Sequence, residues 1–160
     1  MGTARAAQAF AGPLEEVHTA WYDTSRWARW VEGLDHVVDV DGDWPREGGS
    51  VTWMSGPAGR GTVTERVIAY RPLAGQTLEV RDTAIRGRQT VSFTSVGDVV
   101  EVQLTLAYHL VHGSIVSPLM DLLFIRRAMT SSLARTLNRF GAALAAARGS
   151  RPPSVSDPGD

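Results

Sequence analysis

The chain of 160 residues contains no cysteine. That absence excludes a disulfide framework, a thiolate nucleophile and any cysteine-ligated metal. Lysine is absent as well: all 16 basic residues are arginine, set against 17 acidic ones for a formal net charge of −1. Without a basic surplus, the electrostatic footprint of a nucleic-acid binder is missing. The all-arginine usage, with abundant Ala and Gly, reads as the imprint of a GC-rich genome and carries no functional signal. No stretch reaches the roughly 18 to 20 apolar residues of a membrane span. The most apolar segment, Leu119 to Ile125, is cut by Asp121 and ends at Arg126-Arg127. The opening MGTARAAQAFAG lacks the charged start and long apolar run of a signal peptide. The glycines follow no phosphate-loop or dinucleotide pattern, and no nucleophile elbow is present. His109 and His112 stand three apart in or just after a strand, so their side chains diverge, and His18 and His36 have no evident partner. The expectation is a soluble cytoplasmic domain with no metal and no cofactor, long enough to bury a core unaided.

What is present is a single domain over 1–148 and a polar, Pro-rich tail over 149–160 that reads as disordered. A first strand is expected from Thr3 to Phe10. Gly12-Pro13 opens a short helix with Glu15 and Glu16 in its first turn, suited to the helix dipole. A second short helix starts near Asp23-Thr24 and carries Trp27 and Trp30. Strands follow at about 36–41, 50–55, 61–70, 77–84, 88–96 and 99–110, separated by turn signals. The chain closes with a long helix that Ser117-Pro118 opens and Gly149 stops. From Met129 its stripe is regular: Met129, Leu133, Leu137, Phe140 and Leu144. Its first turns are apolar nearly all round, so Leu119 to Ile125 must meet a second neighbour: a loop, a bilayer surface, a bound apolar molecule or a second copy of the chain in a homodimer.

Alternation assigns faces to the strands. Val100, Val102, Leu104, Leu106, Tyr108 and Leu110 form the buried side of the last strand. A two-residue turn at Gly97-Asp98 sets Phe93 opposite Val102 and Val91 opposite Leu104, an apolar register that supports itself. Leu78, Val80, Asp82 and Ala84 share the more apolar face of one strand, and Val63, Glu65, Val67 and Ala69 that of another. A hairpin through Arg71–Gln76 pairs Ala69 with Leu78 and Val67 with Val80, and so sets Glu65 opposite Asp82. Two carboxylates in one site of low dielectric do not both ionise cheaply. Such a pair supplies a general acid and a general base. The alternative is that either carboxylate reaches an arginine or the rim.

The order of elements resembles the helix-grip fold of the START/Bet v 1-like (SRPBCC) superfamily, and within it the polyketide cyclase/dehydrase-like proteins. The resemblance rests on Pro13-Leu14-Glu15-Glu16-Val17 at the first helix and on Asp23, Trp27 and Trp30 at the second. Gly48-Gly49-Ser50-Val51 before the third strand and Thr64-Glu65-Arg66-Val67 with Arg71-Pro72 complete it. His18 departs from the pattern, which has an aromatic or large apolar residue there. The match spans about residues 4 to 148 and implies an α+β fold. A curved antiparallel sheet of about seven strands would wrap the long C-terminal helix, with two short helices after strand 1. It also implies an apolar cavity between sheet and helix for a lipid-like or polycyclic molecule.

The functional expectations follow from both readings. A hydrophobic small molecule would bind between sheet and helix, contacting Trp30, Trp53, Val67, Val80, Val91, Phe93, Leu106, Leu122, Leu123 and Met129. If the protein is an enzyme, it would be a cofactor-independent cyclase/dehydratase using Asp82, Glu65 and Tyr108. The alternatives are a non-catalytic carrier of lipid or metabolite, and an interaction module that docks through the apolar start of the helix. Tyr108 has its own alternative as a core residue with its hydroxyl bonded locally. Arg86-Gly87-Arg88 is a basic turn, either solvated or facing an anionic group.

Overall fold

The computed structural model describes residues 1–57, 59–111 and 118–151, the side chains of 118–122 excepted. Strand β1 (Gly2–Ala11) leads into helix α1 (Leu14–Tyr22), a 3-10 turn (Thr24–Arg26) and the single-turn α2 (Trp27–Trp30). Six strands follow: β2 (Leu34–Asp41), β3 (Ser50–Ser55), β4 (Thr62–Arg71), β5 (Gly75–Arg81), β6 (Ile85–Val96) and β7 (Val99–Leu110). Helix α3 (Pro118–Gly149) closes the chain. All strand pairs are antiparallel, in the order β1-β7-β6-β5-β4-β3-β2, so the meander is continuous except where β1 returns to the outer edge of β7. This is the helix-grip architecture expected from the sequence.

The period of two in β7 works as the alternation implies. Val100, Val102, Leu104, Leu106 and Tyr108 are buried, while the odd positions point to the convex side. Phe93 faces Val102 and Val91 faces Leu104 across the turn at Gly97, whose φ of 62° suits glycine. The stripe of α3 is likewise as read: Leu133, Leu137, Phe140 and Leu144 are buried, with Met129 half-buried above them. Phe140 is the hub of this packing. Its ring meets Phe10 at 5.2 Å, Trp21 at 5.0 Å and Trp30 at 4.9 Å, each edge to face. Gly141 lets the helix lie this close to β1, since a Cβ there would stand 2.9 Å from the Phe10 ring.

Three features depart from the sequence reading. Strand β5 starts at Gly75 and ends at Arg81, which leaves Asp82 in the turn to β6. Strand β4 carries a bulge between Val67 and Ala69. The extra residue reverses the alternation beyond it, so Ala69 is exposed and Tyr70 turns inward instead. The hairpin is also one residue tighter than expected, pairing Ala69 with Thr77, and with the bulge this sets Val67 opposite Leu78 and Glu65 opposite Val80; Glu65 does not face Asp82. The second short helix is also split, into the 3-10 turn and α2.

Candidate functional site

The concave face is apolar with a few inward polar groups, and register fixes their positions. Val51, Glu65, Val80, Gly87, Tyr108 and Gly2 are successive partners across β3, β4, β5, β6, β7 and β1. Glu65 and Tyr108 therefore lie in one row, three strands apart, a separation of about 14 Å along the sheet. Gly87 places no side chain between them. Gly2 clears the space that the phenol occupies, because a Cβ there would stand 2.4 Å from the Tyr108 ring.

Glu65 is the buried carboxyl of this row. Its side chain is buried among Val51, Trp53 and Val80, with the residue 7% exposed. The Trp53 indole N–H donates to Glu65 Oε1 at 3.2 Å. Burial pushes the carboxyl above its ordinary value, and the Trp53 hydrogen bond and the nearby Arg60 charge pull it partly back. Arg60 stands beside it, with its guanidinium carbon 6.0 Å from the Trp53 ring centroid. Asp82, beyond the end of β5, holds Arg60 in an ion pair through Nε. The same carboxylate accepts from the backbone N–H groups of Ala84 and Ile85 at 2.7 Å each, which fixes the turn into β6. Arg60 Nη2 is buried with no hydrogen-bond partner among the described residues. Of the two carboxylates expected to share a site, Asp82 pairs with Arg60 and Glu65 bonds Trp53. Asp82 anchors Arg60 and the turn into β6.

Tyr108 is 1% exposed, and its hydroxyl has no partner among the described residues. Burial raises its pKa, opposed by the charge of Arg126 on α3. A second polar group enters through the bulge in β4. Tyr70 turns inward and its hydroxyl meets His18 Nε2 at 3.3 Å. His18 packs edge to face on Tyr22 at 4.8 Å and Phe93 at 5.5 Å, and burial lowers its pKa from 6.5. Tyr22 is pushed well above the normal tyrosine range by burial and by Tyr70.

The structure sorts the other expected contacts. Val67, Val80, Val91, Phe93 and Leu106 are buried on the concave face and Met129 is half-buried above it. Trp53 joins them through its bond to Glu65. Trp30 is 2% exposed and packs with Trp21, Trp27 and Phe140 at the helix junction, where it also lines a groove between α1, α2 and α3. Leu123 stands 56% exposed and Phe124 76% exposed on the flank of α3, whereas Ile125 packs on the core. Leu123 therefore does not turn to the sheet. The side chain of Leu122, and Ser117 and His112 entirely, lie outside the described residues. Arg60 was not singled out by sequence reading; its one signal is its place between Gly59 and Gly61 at the entry to β4. The groove between α1, α2 and the last turns of α3 holds about 1140 Å³, but it touches none of Glu65, Arg60 and Tyr108.

The same architecture occurs in solved structures of low sequence identity. A protein from Thermus thermophilus superposes with a TM-score of 0.69 at 18% identity, over 91% of this chain and 98% of that one. Norcoclaurine synthase from Thalictrum flavum, in complex with dopamine and hydroxybenzaldehyde, gives 0.65 at 11% identity, over 90% and 86%. The di-domain ARO/CYC StfQ of the steffimycin biosynthetic pathway gives 0.71 at 12% identity, over 92% of this chain and 52% of that one. No curated protein matches the sequence. The family model described as polyketide cyclase / dehydrase and lipid transport matches residues 1–145. With the helix-grip fold and a match over nearly its whole length, the chain belongs to the polyketide cyclase / dehydrase and lipid transport family.

Proposed function

We propose that the protein binds a hydrophobic, carbonyl-bearing small molecule between the sheet and α3, and that Glu65 serves as a proton donor to it in a cyclisation with dehydration. One observation carries this reading: a buried, neutral-leaning carboxyl lies next to an arginine whose buried Nη2 has no partner among the described residues, on a face that is otherwise apolar. A carbonyl oxygen accepting from Arg60 Nη2 would satisfy that donor and be polarised. An enol carbon of the same ligand would add to that carbonyl carbon, Glu65 giving its proton to the oxyanion and its carboxylate taking the enol proton; a second donation to the hydroxyl would release water as the carboxylate takes the proton from the adjacent carbon. Trp53 holds Glu65, Asp82 holds Arg60, and neither needs a cofactor. Tyr108, about 14 Å along the same row, would bond the far end of an extended or polycyclic ligand. The neighbours favour a site of this kind, since one is an aromatase/cyclase and another holds aromatic ligands.

A carrier without chemistry would use the same apolar walls. Native mass spectrometry of the purified protein, followed by Glu65→Gln, separates the two. A co-purifying polyketide-like ligand with turnover that Glu65→Gln abolishes, while affinity holds within about threefold, supports the proton-donor role. Retained turnover in Glu65→Gln removes it.

A further inference from the structure

The convex side of the sheet carries a different chemistry. Strands β5, β6 and β7 present Glu79, Arg81, Arg86, Arg88 and His109 around a recess over the short side chain of Ala107. Arg81 directly faces Arg86, which directly faces His109. Arg88 faces Glu79 on one side and Ala107 on the other, and Glu79 in turn faces Arg66. Directly opposed side chains start about 5 Å apart at Cβ, and neighbours two apart on one strand about 7 Å. Four arginines thus surround one carboxylate, and Arg81 already engages it at 3.5 Å. Like charges placed directly opposite are destabilising. The Arg81–Arg86 pair is such a case, and Arg86 and Arg88 have no carboxylate partner among the described residues. The result is a local positive field at a concave place on the surface.

The recess holds about 370 Å³, roughly twelve times the share of liquid volume of one water. That is room for a tetrahedral oxyanion and part of the group it is attached to. The guanidinium fork matches paired phosphate oxygens. We infer that this convex recess binds a phosphate monoester through Arg81, Arg86 and Arg88, with His109 at its rim. It lies across the sheet from Glu65 and is independent of the chemistry there.

Calorimetry and thermal melting with inorganic phosphate and with glycerol 3-phosphate test this, using sodium chloride at matched ionic strength as the control. The expected result is saturable one-site binding that raises the melting midpoint by about 3–6 °C at ten times Kd. The double variant R86Q/R88Q should bind at least tenfold more weakly. Without ligand at low salt the single variant R86Q should melt no lower than the wild type, because it relieves the like-charge contact with Arg81. Ala107→Leu, which fills the recess and leaves the charges in place, should lose glycerol 3-phosphate binding at least tenfold. Absence of saturable binding below about 10 mM, a shift no larger than chloride gives, or equal binding by R86Q/R88Q would overturn the assignment.

Discussion

Replacing Glu65 with Gln changes one property cleanly: the side chain keeps its shape and loses its proton. The amide oxygen can still accept from Trp53 Nε1, so the hydrogen bond seen at 3.2 Å survives, with its net contribution of about 1 kcal/mol. What disappears is the linkage to pH. An unfolded glutamate titrates near 4.5, and in the fold burial moves that value up. Below about pH 4.5 both states are protonated and the wild type has its full stability. As pH rises from there toward the folded value, the unfolded chain ionises first and stability falls. Above the folded value the deficit stays constant. Each unit of upward shift corresponds to about 1.4 kcal/mol. Gln cannot ionise, so E65Q should gain on the wild type between pH 4.5 and 8. Urea midpoints measured at half-unit steps give the difference curve, since 1.4 kcal/mol moves the midpoint of a small protein by about 0.5–1.4 M. A carbon-13 titration of the Glu65 carboxyl gives the same quantity directly, with an expected midpoint above 4.5. Parallel stability curves, or a midpoint at or below 4.5, would mean that Trp53 and Arg60 outweigh burial. Glu65 would then be ionised at neutral pH and unfit as a proton donor.

Phe140→Ala should destabilise by about 3–5 kcal/mol, lowering the melting midpoint by roughly 8–15 °C, because it empties the ring that three other rings contact. A loss under about 1.5 kcal/mol in urea unfolding would show that α3 is not held there. Asp82→Ala should cost about 2–4 kcal/mol, since it orphans two backbone N–H groups and releases Arg60, and Asp82→Asn roughly half as much because its amide oxygen still caps the turn; equal losses in the two variants would contradict the capping role. Burial lowers the His18 pKa below 6.5, so the wild type should lose stability as pH falls through 6.5 toward the folded value. His18→Phe keeps a ring against Tyr22 and Phe93 and should flatten that slope in melts from pH 4.5 to 8; an unchanged slope would assign it to another group.

Much of this fold follows from short-range pattern. Period-two alternation fixed the buried side of β7, and the turn at Gly97-Asp98 fixed its register with β6. Spacing of three and four residues fixed the stripe of α3 from Met129 to Leu144. These features depend on residues within a few positions of each other, and a slip by one would bury polar groups along a whole strand. The site was only half legible for the same reason. The inward face of Glu65 was available from alternation on β4, but its partner was not, because a bulge adds a residue that no local composition announces. The tighter hairpin, which pairs Ala69 with Thr77, and the bulge each shift the register by one, and together they exchanged Asp82 for Val80 opposite Glu65; the bulge also turned Tyr70 toward His18.

The sequence by itself determined the family, the element order and which strand faces are apolar, since each is written in periodicity and turn chemistry. Only the tertiary structure decided that Asp82 pairs with Arg60 and that Leu123 points outward. Those outcomes depend on bulges, on where strands end, and on long-range packing that brings distant residues within a few ångströms. A carboxyl's pKa depends on burial and on neighbouring charges in three dimensions, so the upward push on Glu65 could be read only from the folded sheet.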